Sequence, residues 1–239
     1  MSLLTPARRR GAEILDDPSV DPAVRKRSLD DVERSNKLLG GLRAALIEVR
    51  AARHDLGRPL TLLDVGTGLA DIPERAAVEA RRAGIALTTI AVDDACSLLA
   101  ASRERVDHAV CARALALPFP DASIDVVLCS QLMHHFDDDG VRRLIREINR
   151  VARHAVIVSD LRRSWIAAAG FWLVSVLLRF SPVTRHDGTL SVLRGFTTAE
   201  LARLVGSETG VAPVVRRRLG FRLTARWTPG VSARAASPA

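Results

Sequence analysis

The stretch Leu62-Leu63-Asp64-Val65-Gly66-Thr67-Gly68-Leu69-Ala70-Asp71 is an apolar run that ends at a carboxylate, turns through two glycines and leads into a helix at Ile72-Pro73. A second apolar run, residues 87–92, ends at Asp93, about 25 residues beyond Gly68. A doubly wound α/β sheet places at about this distance the acid that binds a ribose. Together the two runs predict an α/β domain that binds a nucleoside-containing cofactor.

The charges around the glycine turn distinguish between two kinds of cofactor. A pyrophosphate would bind the N–H groups at the helix start, where the helix dipole favours an anion. Here Asp64 precedes the turn and Asp71 opens the helix, and Ala70 replaces the third glycine of the dinucleotide fingerprint. The carboxylates would repel phosphate. They favour a ligand with a cationic ammonium and a sulfonium, as in S-adenosylmethionine.

Further segments support this interpretation. Residues 117–121 (LPFPD) and 123–130 (SIDVVLCS) are followed by residues 132–136 (LMHHF) and, after a predicted helix, by residues 147–151 (EINRV). Together with the glycine turn, these segments resemble the class I S-adenosylmethionine-dependent methyltransferases, in a small-molecule branch similar to the quinone- and polyketide-biosynthesis enzymes. The resemblance is strong over residues 60–161, and several ordered matches are far more specific than a single glycine pair.

This resemblance implies a doubly wound, mostly parallel, seven-stranded Rossmann-like sheet. Residues 1–58 are expected to form an N-terminal helical cover, residues 59–228 the methyltransferase domain, and residues 229–239 a disordered tail. Within the domain, the segment 162–197 is expected to be an apolar helical lid over the acceptor. Apolar runs that alternate with predicted helices place strands near 60–65, 87–92, 108–112, 124–129 and 155–158, and a final antiparallel pair is expected at 210–215 and 221–225.

Helical spacing predicts two of the helices. Leu38, Leu39, Leu42, Leu46 and Val49 suggest one N-terminal helix. A second apolar stripe follows three aspartates that can cap its helix, and it consists of Val141, Leu144, Ile145, Ile148 and Val151.

Composition agrees with a single globular domain. The 239 residues are 48% apolar and 26% charged, and a chain of this length can bury one substantial core. The three cysteines, Cys96, Cys111 and Cys129, have no C-x-x-C spacing, so neither a zinc site nor a disulfide framework is expected. A reducing, cytoplasmic location is expected, since residues 1–10 lack the apolar core of a signal peptide.

The net charge of +8 comes from arginine, because Lys26 and Lys37 are the only lysines. A basic surface attracts anions in general. Only 4% of the residues are aromatic and none is tyrosine, which leaves few side chains to stack on unpaired bases. The arginine runs 8–10 and 216–218 are therefore interpreted as solvated surface charge in preference to a polyanion site, and nucleic acid is not the expected partner.

The carboxyl ends of parallel strands meet at one edge of the sheet, where doubly wound proteins bind their ligands. The family resemblance implies that the glycine backbone approaches the methionine portion, that Asp93 binds the ribose, and that Ser130 closes the pocket. A plain helix-capping role also fits Asp71. The expected cofactor-binding set is Asp64, Gly66, Thr67, Gly68, Asp71, Asp93, Arg113, Ala114 and Ser130.

Methyl transfer from a sulfonium needs alignment and exclusion of water rather than a metal. A base helps where the acceptor is a phenol, an enol or an activated carbon, and histidine is suited to this near neutral pH. His134 and His135 follow the fourth strand, and adjacent side chains cannot both point inward. His135 is the favoured base, His134 the second candidate and His186 the reserve.

Residues 165–178 (WIAAAGFWLVSVLL) are the most apolar segment of the chain. They are too few to span a bilayer. They occupy the region where members of the resembled family often build a lid over the acceptor, which implies an apolar acceptor such as a polyketide, a quinone or a lipid-like phenol. A buried helix, a homodimer contact and shallow docking on an anionic membrane remain alternatives.

The expected function is methyl transfer to oxygen or carbon of a fairly apolar small molecule. One alternative is a nucleic-acid methyltransferase, but residues 130–133 (SQLM) lack the N-P-P-Y-type loop, and the chain has no Pro-Cys pair. Another is a noncatalytic binding protein with an altered adenosine pocket, suggested by Arg113 and Ala70. The identity of the acceptor and the oligomeric state stay open.

Arg113 stands where relatives usually have an aspartate that accepts a hydrogen bond from the adenine amino group. Arginine cannot accept that bond. Restoring it with Arg113→Asp is expected to tighten S-adenosylmethionine binding about fivefold, which corresponds to about 1 kcal/mol for one hydrogen bond. Titration calorimetry measures this, with Arg113→Ala as the control that removes the guanidinium but adds no acceptor. Unchanged or weaker binding by Arg113→Asp would contradict the prediction.

Overall fold

The computed structural model describes residues 4–17, 19–57 and 59–230. The strands are Leu60–Val65 (β1), Leu87–Asp93 (β2), His108–Cys111 (β3), Ile124–Ser130 (β4), Ala152–Leu161 (β5), Val214–Arg218 (β6) and Arg222–Trp227 (β7). They form one seven-stranded sheet in the order β3-β2-β1-β4-β5-β7-β6. The strands β1 to β5 pair in parallel, and β7 is antiparallel to both of its neighbours. The predicted fold class is confirmed.

Helices flank both faces of this sheet. Their bounds are Pro22–Leu38 (α1), Gly41–Leu56 (α2), Asp71–Arg82 (α3), Cys96–Ser102 (α4), Asp138–Val151 (α5), Trp165–Leu177 (α6), Pro182–Arg194 (α7) and Thr198–Thr209 (α8). Side chains of α2 and α3 pack on one face, and those of α5 and α8 pack on the other. α6 and α7 pack against each other, and α7 also contacts β5. Within the described segments, no helix combines the length and apolarity needed to cross a membrane.

The predicted stripe of α5 lies entirely in the core. Val141, Leu144, Ile145, Ile148 and Val151 have no exposed surface. Asp137 caps the helix by accepting a hydrogen bond from the Gly140 N–H at 2.7 Å, and two further aspartates in the first turn complement the helix dipole. Local capping and burial therefore favour the same helix.

The N-terminal segment forms two helices where the sequence predicts one. Gly40, between α1 and α2, has a φ of +78°, and a side chain there would press on the Leu219 carbonyl. This left-handed turn interrupts the helical spacing. Leu38 is consequently 61% exposed, whereas Leu46 and Val49 are buried against the sheet.

The expectation for the cysteines is wrong for two of the three. Cys96 and Cys111 form a disulfide with a Cα–Cα distance of 5.3 Å. The parallel pairing of β2 with β3 brings the start of α4 beside the end of β3, although 15 residues separate the two cysteines. Cys129 is free and buried in β4. The spacing of the cysteines along the chain therefore does not predict that Cys96 and Cys111 lie close together.

A buried carboxylate joins α2 to the antiparallel edge of the sheet. Glu48 is 1% exposed, and its Oε1 accepts hydrogen bonds from Thr224 Oγ1, at 2.7 Å, and from Arg218. Arg216 and Arg226 lie 3.7 Å and 3.9 Å from Oε2. Burial by itself would raise the pKa of Glu48, but the bonds from Arg218 and Thr224 outweigh it and hold the pKa below its usual value.

Glu48→Gln is expected to lower the free energy of unfolding by about 2 kcal/mol near neutral pH, because it removes the charge of a buried carboxylate that accepts hydrogen bonds from Arg218 and Thr224. The control is Glu79→Gln, which breaks the more exposed Arg50–Glu79 pair and should cost under about 1 kcal/mol. Because the folded-state pKa of Glu48 is depressed, its contribution is present above the unfolded pKa and is lost as pH falls through the folded pKa. Urea unfolding tests both statements, and equal losses for the two variants would contradict them.

Candidate active site

The turn between β1 and α3 is held against the neighbouring strand by its own backbone. The N–H groups of Gly66 and Thr67 donate to the Val92 carbonyl at 2.8 Å and 3.1 Å. Gly66 has a φ of +72°, and a Cβ there would lie 2.7 Å from the Leu132 side chain. Both the conformation and the close approach require glycine at this position.

Asp93 is tied to the second glycine of the turn. Its Oδ2 accepts a hydrogen bond from the Gly68 N–H at 2.9 Å, and its Oδ1 accepts one from the Ala95 N–H at 3.0 Å. Each carboxylate oxygen retains a second lone pair for a ligand hydroxyl. Apart from the neighbours of Gly68 along the chain, no atom of the described residues lies within 4 Å of a Cβ built on this glycine. Open space therefore lies beside the turn and the Asp93 carboxylate, and this space is here called the crevice.

The floor of the crevice contains buried polar atoms that have no protein partner. Asp64 Oδ2 accepts a hydrogen bond from Thr67 Oγ1 at 2.8 Å. Asp64 Oδ1, Asp71 Oδ2 and Ser130 Oγ are buried without a hydrogen-bond partner among the described residues. Asp64 and Ser130 lie toward the carboxyl ends of the adjacent strands β1 and β4. Orphaned acceptors of this kind fit the cationic methionine portion of S-adenosylmethionine.

Burial raises the pKa of Asp64 to about 8, against the hydrogen bond from Thr67, and the nearby carboxylates of Asp71 and Asp93 raise it further. Burial likewise raises the pKa of Asp71, with a further contribution from Glu33. The carboxyl groups of Asp64, Asp71 and Asp93 are therefore close enough to raise the pKa of Asp64 together. This arrangement favours a positively charged ligand and disfavours phosphate.

The segment after β3 lies beside Asp93. The Ala112 N–H donates to the Asp93 carbonyl at 3.1 Å, Arg113 is exposed, and Ala114 packs against the main core. The Cys96–Cys111 disulfide spans the same edge. The structure therefore brings Arg113 and Ala114 close to the predicted ribose site, with the guanidinium toward solvent.

A cavity of about 250 Å³ lies under the helices α1 and α7. Its apolar wall includes Leu15, Leu29, Leu161, Phe171 and Val192. Its polar lining includes Glu13, Gln131, His134, His135 and Arg222. An apolar molecule with one polar end matches this division.

His134 is held by a buried carboxylate at the end of β5. Its Nδ1 lies 2.6 Å from Asp160 Oδ1, and its backbone N–H donates to Asp160 Oδ2 at 3.2 Å. Burial would raise the pKa of Asp160, but the imidazole of His134 outweighs it and keeps the pKa below its usual value. With Nδ1 bound to an ionised carboxylate, Nε2 is the nitrogen available for proton transfer.

His135 has a weaker contact. Its Nδ1 lies 3.8 Å from Glu13 Oε2, and its side chain is 30% exposed. Arg194 lies 3.5 Å from Glu13 Oε1 and donates to the backbone carbonyls of His134 and His135. The sequence favours His135 as the base, whereas these distances favour His134.

Glu13, His134 and His135 present ligand atoms within 4.8 Å of one another, so these side chains could hold a metal ion. Two features oppose that use. Nδ1 of His134 already binds Asp160, and Arg194 supplies a positive charge beside Glu13. The cluster is therefore better suited to moving protons than to binding a second cation.

His186 lies apart from the other two histidines. Its imidazole is 57% exposed and bonds to Asp187 Oδ1 at 2.8 Å, and it is not among the residues that line the cavity. Asp187 also accepts hydrogen bonds from the N–H groups of Ile14 and Leu15. This part of α7 anchors the N-terminal segment over the cavity.

The sequence-based site missed Glu13 and Arg222, which line the cavity, and Asp160, which bonds to His134. The sequence offered a signal for Asp160, because this residue lies near the end of the apolar strand β5, which pairs with the strand before His134. Glu13 and Arg222 had none, since they reach the cavity from distant parts of the chain.

The fold and a family match point to the same class of protein. Residues 63–158 match the family model of a methyltransferase domain. Magnesium protoporphyrin IX methyltransferase from Synechocystis, solved with bound S-adenosylmethionine, shares 10% identity at a TM-score of 0.55, over 91% of this chain and 88% of that chain. The 1,6-didemethyltoxoflavin-N1-methyltransferase from Burkholderia thailandensis shares 18% identity at a TM-score of 0.52, over 90% and 92%. Comparison with the curated proteins finds no match.

Residues 63–158 therefore form a methyltransferase domain, within a chain that has the class I methyltransferase fold. The predicted enzyme class and the predicted cofactor, S-adenosylmethionine, are confirmed.

The raised pKa of Asp64 predicts proton release on cofactor binding. Near pH 7 the carboxyl holds a proton in the free protein, since its pKa is about 8, and a cationic ligand favours the ionised form. The affinity for S-adenosylmethionine should therefore increase as the pH is raised to about 8, and it should be weaker at lower pH, where Asp64 is protonated. Titration calorimetry in two buffers of different ionisation enthalpy is expected to detect this release.

Asp64→Asn should abolish this proton release and weaken the binding of S-adenosylmethionine. Asp94→Asn, at an exposed position next to Asp93, should leave both the proton release and the binding of the cofactor unchanged. The amino group of the cofactor titrates identically in all three proteins, so the difference between variants isolates Asp64. Proton release of equal size in Asp64→Asn and the parent protein would refute the assignment.

Proposed function

We propose that this chain transfers the methyl group of S-adenosylmethionine to a phenolic or enolic acceptor, on oxygen or on the activated carbon, in an otherwise apolar small molecule of polyketide or quinone type. The observation that carries this proposal is the buried Asp160–His134 pair at the wall of the apolar cavity. A proton-accepting pair is useful only to an acceptor that must lose a proton.

The crevice residues would hold the cofactor by charge and by hydrogen bonds. Asp93 would accept hydrogen bonds from the ribose hydroxyls. Asp64, Asp71 and Ser130 offer unpartnered oxygens to the ammonium group, and Gly66 and Gly68 leave room for close approach. When bound, S-adenosylmethionine supplies a methyl group already activated by its sulfonium, so the chain has to align, desolvate and deprotonate the acceptor.

His134 is proposed as the base that takes the acceptor proton. Asp160 is a positioning residue: it fixes the ring through Nδ1 and stabilises the imidazolium that forms. Arg222 lines the same cavity and donates to Gln131 Oε1 at 2.5 Å. Burial lowers the pKa of Arg222 to about 10, which leaves it charged near neutral pH. It would stabilise the oxyanion of the deprotonated acceptor.

The cavity wall supports an apolar acceptor, because Leu161, Phe171 and Val192 surround the polar end. The two similar enzymes are named for small-molecule acceptors, which are a magnesium porphyrin and a toxoflavin precursor. Those acceptors belong to those proteins. They agree with a small-molecule acceptor and do not identify it.

The test is incubation of the purified chain with methyl-labelled S-adenosylmethionine and a panel of apolar phenols, enolised polyketides and quinols. The O-methylated counterpart of each compound is the matched control, since it has no proton to lose. Label is expected in the organic phase only with the ionisable compounds. Cofactor binding without any labelled product from the panel would overturn the catalytic proposal in favour of a binding protein.

His134→Gln is expected to lower kcat by about 100-fold or more, because the proton acceptor is lost. Asp160→Asn should lower kcat with little change in the KM of the acceptor, as a positioning residue does. His135→Gln is the neighbouring control and should retain kcat within about tenfold. Thermal unfolding and cofactor affinity verify that each variant is folded. Full activity of His134→Gln, or a larger loss in His135→Gln, would refute the assignment of the base.

A further inference from the structure

The outward side of α6 is apolar along its whole length. Its exposed positions are Trp165, Ile166, Ala169, Gly170, Trp172, Leu173, Val176 and Leu177. These residues, here called the α6 outer face, follow one another around a continuous arc of the helix. Trp172 and Leu173 are 52% and 53% exposed, Leu177 is 70% exposed, and α6 contains no charged residue. A soluble surface seldom leaves such a patch uncovered.

The opposite side of α6 is packed, so the exposed face does not reflect a loose helix. Ala167 and Ala168 are buried in a cluster with Leu161, Val192 and Leu193. The Trp165 N–H donates to the Leu4 carbonyl at 3.0 Å. The helix is fixed with its bulkiest side chains toward solvent.

Arginines border this face, and acids are missing from it. The Arg9 guanidinium lies 5.7 Å from the centre of the Trp165 ring, and Arg179 is exposed just after the helix ends. In the segment 162–197, Arg162 and Arg185 are also partly exposed, whereas Arg163 and Arg194 are buried and do not belong to this border. The single acid of this segment, Asp187, is buried and bonded to backbone N–H groups. The border is complementary to an anionic surface.

An apolar cavity of about 260 Å³ lies directly behind the helix. It is lined by Ala167, Gly170 and Val174 of α6, and it shares Leu161, Phe171 and Arg222 with the acceptor cavity. An apolar molecule arriving at α6 would thus meet a lining that continues to the proposed base.

We infer that the α6 outer face docks on the surface of an anionic lipid bilayer, and that the apolar acceptor enters the cavity from that bilayer. Tryptophan is suited to the boundary of a membrane and arginine to its anionic headgroups. A second copy of this chain is the other occupant to consider, but pairing the two faces would bring their arginines together. The entry of the acceptor rests on the proposed function, whereas the docking does not.

The test of docking is flotation with phosphatidylcholine vesicles that contain about 30% phosphatidylserine, against pure phosphatidylcholine, without cofactor or acceptor. Binding is expected only to the anionic vesicles, with a blue shift of tryptophan emission. Trp165 and Trp172 would cause this shift, because Trp227 is buried and donates to Asn149.

Leu173→Ser combined with Trp172→Ser should reduce binding to the anionic vesicles at least tenfold. Arg179→Gln should reduce it about fivefold, the usual contribution of one basic residue near such a surface. Val214→Ser is the matched control, since Val214 is 50% exposed but lies in the edge strand β6 and not on α6. No vesicle binding, or equal loss in Val214→Ser, would overturn the inference. Self-association that Leu173→Ser abolishes, without vesicle binding, would assign the face to a second copy.

A methylation assay separates this inference from the proposed function. With an apolar phenol embedded in vesicles, Leu173→Ser should raise the apparent KM, whereas with a water-soluble phenol the variant and the parent chain should act alike. Loss of activity on both substrates would indicate damage to the catalytic site. Equal activity on both would exclude delivery from the bilayer.

Discussion

The parallel pairing of β1, β2, β4 and β5 is the constraint on which the proposed site depends. It brings the ends of four strands to one edge, and each of these strands carries a polar side chain near that end: Asp64, Asp93, Ser130 and Asp160. Side chains as far apart along the chain as Asp64 and Asp160 thereby share one rim. Loss of a strand register would separate the cofactor crevice from the base.

Charge divides this rim into two regions. The β1–β2 side carries Asp64, Asp71 and Asp93, in a chain whose net charge is +8. The β5–β7 side carries the buried Arg222 and the Asp160–His134 pair. A cationic methyl donor and an acceptor that becomes an anion are each matched by the charge of the side on which they would lie. The boundary between the two regions is where the methyl group would move.

The cover over this rim comes from the segment before α1 and from the helices α6 and α7. The segment before α1 reaches α7 through Asp187 and through Arg9, whose N–H donates to the Leu193 carbonyl. α6 and α7 complete the cavity while leaving the apolar face of α6 exposed. The same helices therefore shield the proposed chemistry and present the surface proposed to dock on lipid.

The sequence by itself determined the sheet, the glycine turn, the distal acid and the family resemblance, because these depend on local periodicity and short spacing. The tertiary structure decided which histidine meets a carboxylate, since Asp160 reaches His134 only through the pairing of β4 with β5. It also brought Glu13 and Arg222 to the cavity, joined Cys96 to Cys111 and broke the N-terminal helix at Gly40. Each of these depends on contacts between distant segments, which no local pattern records.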